Sequence, residues 1–154
     1  MQVKRNWFKR SLGLVGMAVV VVATLHAQVG KGLIDPNITS EKELLSLPSM
    51  TPAIVKGILD KRPFMGITEL NTFLMSQNLT PQQAEDFYRK AFVHVNLNTG
   101  TRDEIMLIPG AGVRMAREFA EYRPWKSWTQ FDKEIGKYVG AKETTRLWRY
   151  VVIQ

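Results

Sequence analysis

A chain of 154 residues is long enough for one ordinary domain or two very small ones. It contains no cysteine, which excludes a disulfide framework and a thiolate metal site, and its two histidines, His26 and His94, lie far apart with no ligand-spaced partner, so neither a metal nor a cofactor is expected. The net charge of +7 is unevenly placed: residues 1–27 carry +4, residues 28–95 balance seven basic against seven acidic side chains, and residues 96–154 carry +3 from ten basic and seven acidic ones, so an anionic partner would be drawn to the C-terminal part.

The first element is a leader. Lys4, Arg5, Lys9 and Arg10 precede an apolar run of 14 residues from Leu12 to Leu25, and His26-Ala27-Gln28 follows with a small residue at the cut. This is the layout of a secretory signal peptide, residues 1–27, cleaved after Ala27. The alternative is a retained membrane anchor, for which the run is short of the roughly 20 apolar residues a spanning helix needs. Either way the rest of the chain is expected to be exported, to a periplasm or the extracellular space. It would touch a membrane only through an uncleaved leader.

The rest of the chain reads as a repeat. A shift of 61 residues places Asn37 on Asn98, Ser40 on Thr101, Glu43 on Glu104, Pro48 on Pro109, Arg62 on Arg123 and Pro63 on Pro124. The identities are few, but they are structural punctuation. Ser40-x-x-Glu43 and Thr101-x-x-Glu104 are both capping boxes, each ahead of an apolar run that stops at a proline. A turn and a second helix follow in each copy, ended by Arg62-Pro63-Phe64 or Arg123-Pro124-Trp125. Thr68 is expected to cap a third helix running to about Met75, and Thr129 its counterpart running to about Lys137. Thr80-Pro81 starts a fourth helix, with proline at the first helical position. Gly140-Ala141 opens its counterpart, which carries Leu147, Trp148 and Val151. The expected fold class is all-α: two tandem units, residues 28–95 and 96–154, each of about four short helices in two hairpins. No alternating strand pattern of useful length is present.

Between the units, Phe92 to Asn98 has none of the composition of a flexible linker. Its alternating Val93, Val95 and Leu97 are expected to tuck into both units and hold them at a fixed angle. His94 reads as a polar residue in that connection. Trp125, Trp128, Trp148, Tyr138 and Tyr150 are expected mainly in the core of the second unit.

The chemistry concentrates at Ile108-Pro109-Gly110-Ala111-Gly112, which leads into a helical run ending near Arg123. Glycine supplies positive φ for a tight turn and removes the side chains that would keep a ligand from its amides. Those amides, with the unsatisfied N–H groups of the first helical turn, suit a phosphate. Arg114 and Arg117, three residues apart, share a helix face beside them. There is no nucleophile and base combination, no metal cluster and no nucleotide motif, so an enzyme is not expected. Asp103-Glu104 lies where a helix dipole favours acids and is not an acid/base pair.

Asn96-Leu97-Asn98-Thr99, the capped helix, Ile108-Pro109-Gly110-Ala111-Gly112, Ala116 and Tyr122-Arg123-Pro124 resemble the ComEA family of exported helix-hairpin-helix proteins. The resemblance covers residues 95–154 well and residues 34–94 in outline. It implies non-specific binding of double-stranded DNA through the phosphate backbone, in DNA uptake or competence. Such contacts position a protein and carry no base information, and their affinity falls steeply with salt. Matched to the motif, Tyr138 stands where the second hairpin, Tyr138-Val139-Gly140, should have its first glycine. Gly140, Lys142 and Arg146 leave it a partial clamp. In the first unit, Pro48-Ser49-Met50-Thr51-Pro52 and Asn78-Leu79-Thr80-Pro81 lack the glycines, and each proline removes an amide. The resemblance therefore implies a DNA-phosphate site of Gly110, Ala111, Gly112, Arg114, Arg117, Gly140, Lys142 and Arg146. The first unit would be scaffold or a surface for an envelope protein. The competing reading makes the chain a structural or protein-interaction module of an envelope complex, comparable to the helix-hairpin-helix extrinsic subunit of photosystem II.

Overall fold

In the computed structural model residues 32–154 are described. The leader and its cut after Ala27 lie outside the described residues. The described chain is mostly helical: α1 (Glu41–Leu45), α2 (Pro52–Lys61), α3 (Ile67–Ser76), α4 (Pro81–Tyr88), α5 (Arg102–Met106), α6 (Val113–Glu121) and α7 (Trp128–Leu147), with β1 (Val95–Asn96) after α4 and β2 (Val151–Val152) after α7.

The helix starts follow from their caps. Ser40 and Glu43 close a capping box on α1, and Thr101 and Glu104 close one on α5. Each short helix delivers one apolar residue to the core, Leu44 and Ile105. Thr51 caps α2 by accepting from Ile54 N–H at 3.3 Å. Thr80 and Gln83 form a third capping box on α4.

Two caps differ from expectation. The third helix begins at Ile67 behind Gly66 rather than behind Thr68, and α7 begins at Trp128 behind Ser127 rather than behind Thr129. Starting earlier lets Ile67 bury fully and sets Trp128 against Phe131 and Trp148, with ring centroids 6.0 and 5.6 Å apart. In both helices the residue three places past the cap closes the turn from the other side. Glu69 accepts from Met65 N–H and Gln130 from Lys126 N–H, each at 2.9 Å.

The chain reversals that follow α2 and α6 are clasped alike. Phe64 N–H donates to Asn37 Oδ1 at 2.7 Å and Asn37 Nδ2 donates to the Phe64 carbonyl at 3.0 Å. Trp125 and Asn98 repeat the pair at the same two distances. Arg62 donates to the Thr39 carbonyl at 2.9 Å, and Arg123 donates to the carbonyls of Leu97, at 2.7 Å, and Gly100. The asparagine and arginine that recur at a spacing of 61 thus tie each reversal to the start of its own segment, and the recurring proline stands in the reversal itself.

The structure also contains strand pairing, against the expectation of none. β1 and β2 run parallel in the register Val95 to Val151 and Asn96 to Val152, and an isolated parallel bridge joins Ile34 to Ala91. Val151 therefore lies in a strand, and the last helix ends at Leu147. Two-residue strands are too short for alternation to reveal, and each pair joins segments more than fifty residues apart. The connection is pinned at both ends by these pairings. Phe92 N–H donates to the Ile34 carbonyl at 2.9 Å, and Leu97 N–H to the Val152 carbonyl at 2.8 Å. Val93, Val95 and Leu97 are buried, and Phe92 is fully enclosed with its ring 5.7 Å from Tyr88 and 5.0 Å from Tyr150. One core thus runs through the connection, and α3 packs on α5 across it. Among the described residues, no helix is long and apolar enough to cross a membrane.

Candidate nucleic-acid interface

The turn from α5 into α6 is built from the core outward. Ile108 and Pro109 are buried, and Ala111 N–H donates to the Ile108 carbonyl at 2.8 Å, which closes the turn. Gly110 has φ +79°, where a side chain would be strained. Gly112 is the N-cap of α6, with ordinary extended angles of −118° and −177° and no side-chain cap.

Gly112 is distinctive because the fold gives it no reason to be glycine. A Cβ at Gly57 would run into Phe73, and one at Gly66 would come 2.6 Å from Glu104 Oε1, but one at Gly112 would meet nothing within 4 Å. The corresponding residue of the first half is Thr51, whose hydroxyl covers the start of α2. The N–H groups of Gly112, Val113, Arg114 and Met115 have no acceptor among the described residues. Four donors converge at an exposed helix start with no side chain over them, where the helix dipole also favours negative charge. Ala111 contributes shape only, because its amide is already used inside the turn.

The basic residues are arranged less simply than their spacing implied. Arg114 is exposed, with its guanidinium carbon 4.9 Å from the centre of the Tyr138 ring. Arg117 is exposed and its guanidinium lies 3.3 Å from Glu118 Oε1, a carboxylate that is itself buried. Arg146 does not sit with a second turn. One of its nitrogens would lie 3.4 Å from a Cβ on Gly110, and the same group binds Glu143 in two-pronged fashion at 2.8 and 2.6 Å. That pairing holds the Glu143 carboxyl below its usual range and raises Arg146. Lys142 is exposed and makes no ion pair among the described residues.

The second hairpin is not a copy of the first. The helix runs straight through Tyr138, and the reversal is taken up by Gly140, at φ 78° and ψ 164°, a conformation essentially reserved for glycine. Nothing lies within 4 Å of a Cβ placed there either. The two turns of the first half follow a left-handed path without glycine, at Ser49 with φ 61° and Asn78 with φ 63°. Met50 packs inward on the core rather than over its turn, so what closes α2 is the Thr51 hydroxyl and the missing N–H of Pro52. At α4 the Thr80–Gln83 box does the same.

Lys137, not singled out as a site residue by the sequence, completes the face together with Tyr122 and Tyr138. Lys137 Nζ donates to Glu134 Oε2 and to the Tyr122 hydroxyl, both at 2.7 Å, and lies 4.5 Å from the Tyr122 ring centre and 5.1 Å from that of Tyr138. The hydroxyls of Tyr122 and Tyr138 are 3.1 Å apart. These bonds, Glu134 foremost, raise Lys137 above the ordinary lysine range and keep it charged. The Tyr122 hydroxyl chiefly lifts the Tyr138 phenol, to about 12. The sequence signal for this cluster was a tyrosine in a glycine's place.

No protein-family model matches the chain, nor does any curated protein or solved structure. Among the described residues no group of three His, Asp or Glu side chains is placed to hold a metal ion.

Proposed function

We propose that the protein is an exported, non-catalytic binder of double-stranded DNA that grips the phosphate backbone without reading bases, in the manner of the ComEA-like helix-hairpin-helix proteins it resembles. In this reading each half is a tandem pair of helix-hairpin-helix elements and the C-terminal half makes the contact. The observation that carries it is the start of α6: the N–H groups of residues 112–115 have no acceptor among the described residues, and Gly112 has room for a side chain and no fold-level reason to lack one, with Arg114 and Arg117 on the same helix. An amide cradle with adjacent cations accepts a phosphate oxygen and is blind to sequence.

Fluorescence anisotropy with a labelled random duplex of about 20 base pairs tests this. Affinity is expected to be similar for unrelated sequences and to fall several-fold for each doubling of salt. The double reversal Arg114→Glu with Arg117→Glu is expected to abolish binding without unfolding the protein, at a lowered melting temperature because it also breaks the pair of Arg117 with the buried Glu118. Absence of binding at low salt would sink the proposal.

A second reading, an interaction module of an envelope complex, draws on the first half. Ile38 and Met65 are exposed by 82% and 88%, at positions where the second half has Thr99 and Lys126. Both helix starts that would have faced phosphate there are capped. Retained co-purification of an envelope protein by the Arg114→Glu, Arg117→Glu variant would favour that reading.

A further inference from the structure

We infer that Lys137, together with Arg114 shared from the first contact, forms a second phosphate contact made by side chains beside the second hairpin, and that Tyr138 is the positioning residue that draws both cations to one ring. The inference rests on the DNA-binding reading above and assigns its second point of attachment.

Tyr138 lies inside a helix, so the position corresponding to Gly110 presents a ring instead of an open turn. Tyr138 is 39% exposed, and its ring draws Arg114 from the start of α6 at 4.9 Å and Lys137 from its own helix at 5.1 Å. The ring's π-face attracts each of them separately. Both lie about 5 Å from one ring centre, so the two charges are at most about 10 Å apart and an anion beside the ring is drawn to both.

The frame is held in place. Tyr138 is tied through its hydroxyl to Tyr122, and Tyr122 to Lys137, so neither ring is a free rotor. An ammonium has three donors. Two of Lys137's go to Glu134 and Tyr122, and the third has no acceptor among the described residues. Arg114 makes no ion pair or side-chain hydrogen bond among them. The acids facing the cluster are Glu134 and the buried Glu118. Lys133, 3.6 Å from Glu134, and Arg117, beside Glu118, oppose them and leave the patch net positive.

The test is a salt titration of duplex binding for the wild type, Lys137→Gln, Arg114→Gln, Tyr138→Phe, Tyr138→Ala and the Tyr138→Ala, Arg114→Gln double variant, with thermal unfolding measured on each. If the inference holds, Lys137→Gln lowers the slope of log affinity against log salt by about one. The affinity change over a fourfold rise in salt then shrinks about 3.5-fold. Tyr138→Ala weakens binding, Tyr138→Phe, which keeps the ring and loses its tie to Tyr122, weakens it less, and the Tyr138→Ala and Arg114→Gln losses are less than additive because the ring acts in part through that arginine. An unchanged slope in Lys137→Gln with wild-type binding intact overturns the inference and leaves the first contact standing. Full additivity of the Tyr138→Ala and Arg114→Gln losses overturns the positioning role. Failure of the wild type to bind removes both contacts together.

Discussion

Arg146 lies against Gly110 with both prongs of its guanidinium held by Glu143. The most enclosed cation of the face is thus neutralised by a carboxylate from its own helix, one turn away. Removing that carboxylate frees Arg146 beside the turn. Glu143→Gln is expected to raise duplex affinity by about two- to fivefold at low salt, in keeping with an exposed pair worth about 0.5–1 kcal/mol. The anisotropy assay reads this directly, and unchanged or weaker binding would exclude Arg146 from the face.

The same pair has a pH signature. The folded-state pKa of Glu143 is depressed, chiefly by its bond to Arg146. Its contribution to stability is therefore fully present above the unfolded value near 4.5 and is lost as pH falls through the lower folded value. The difference in melting temperature between wild type and Glu143→Gln is expected to be small and constant from pH 5 to 8 and to close below pH 4.5. A difference that persisted at pH 2 would place the effect elsewhere.

Gly112→Thr separates stability from binding. Threonine at an extended N-cap closes α6 as Thr51 closes α2, and replacing glycine also reduces the freedom of the unfolded chain. Stability is expected to rise by about 0.5–1 kcal/mol. Duplex affinity is expected to fall by at least about tenfold, because the hydroxyl occupies amides otherwise given to a charged oxygen. A variant both more stable and equally good at binding DNA would show that the helix start is not the contact.

Asn37 and Asn98 are expected to be comparably costly to lose. Each satisfies both backbone groups of a buried aromatic residue, Phe64 or Trp125. Asn37→Ala or Asn98→Ala leaves those groups unpaired and is expected to cost about 2 kcal/mol in chemical denaturation. A loss below a few tenths would mean that water replaces the amide.

Local signals in the sequence carried far. The capping boxes at Ser40 and Thr101 and the proline start at Pro81 need only neighbours within four residues, and they appear as written. Thr68 and Thr129 misled because a threonine is a good cap only where the following apolar residue reaches the core, and the core was reached by Ile67 and Trp128. The strands at Val95 and Val151 left no trace because each is two residues long and its partner is supplied by folding. Lys137 looked like one more charged residue near a helix end.

What the sequence determined by itself was therefore the local grammar: helix starts, the spacing of 61 that repeats Asn, Arg and Pro, and the lone Pro109-Gly110-Ala111-Gly112 turn. Tertiary structure decided which charges belong together. It set Arg146 on Gly110, drew Arg114 to Tyr138 and Lys137, and left Gly112 open on every side. Backbone turns are governed by residues within a few positions, whereas the neighbours of a long basic side chain are chosen by how separate helices pack.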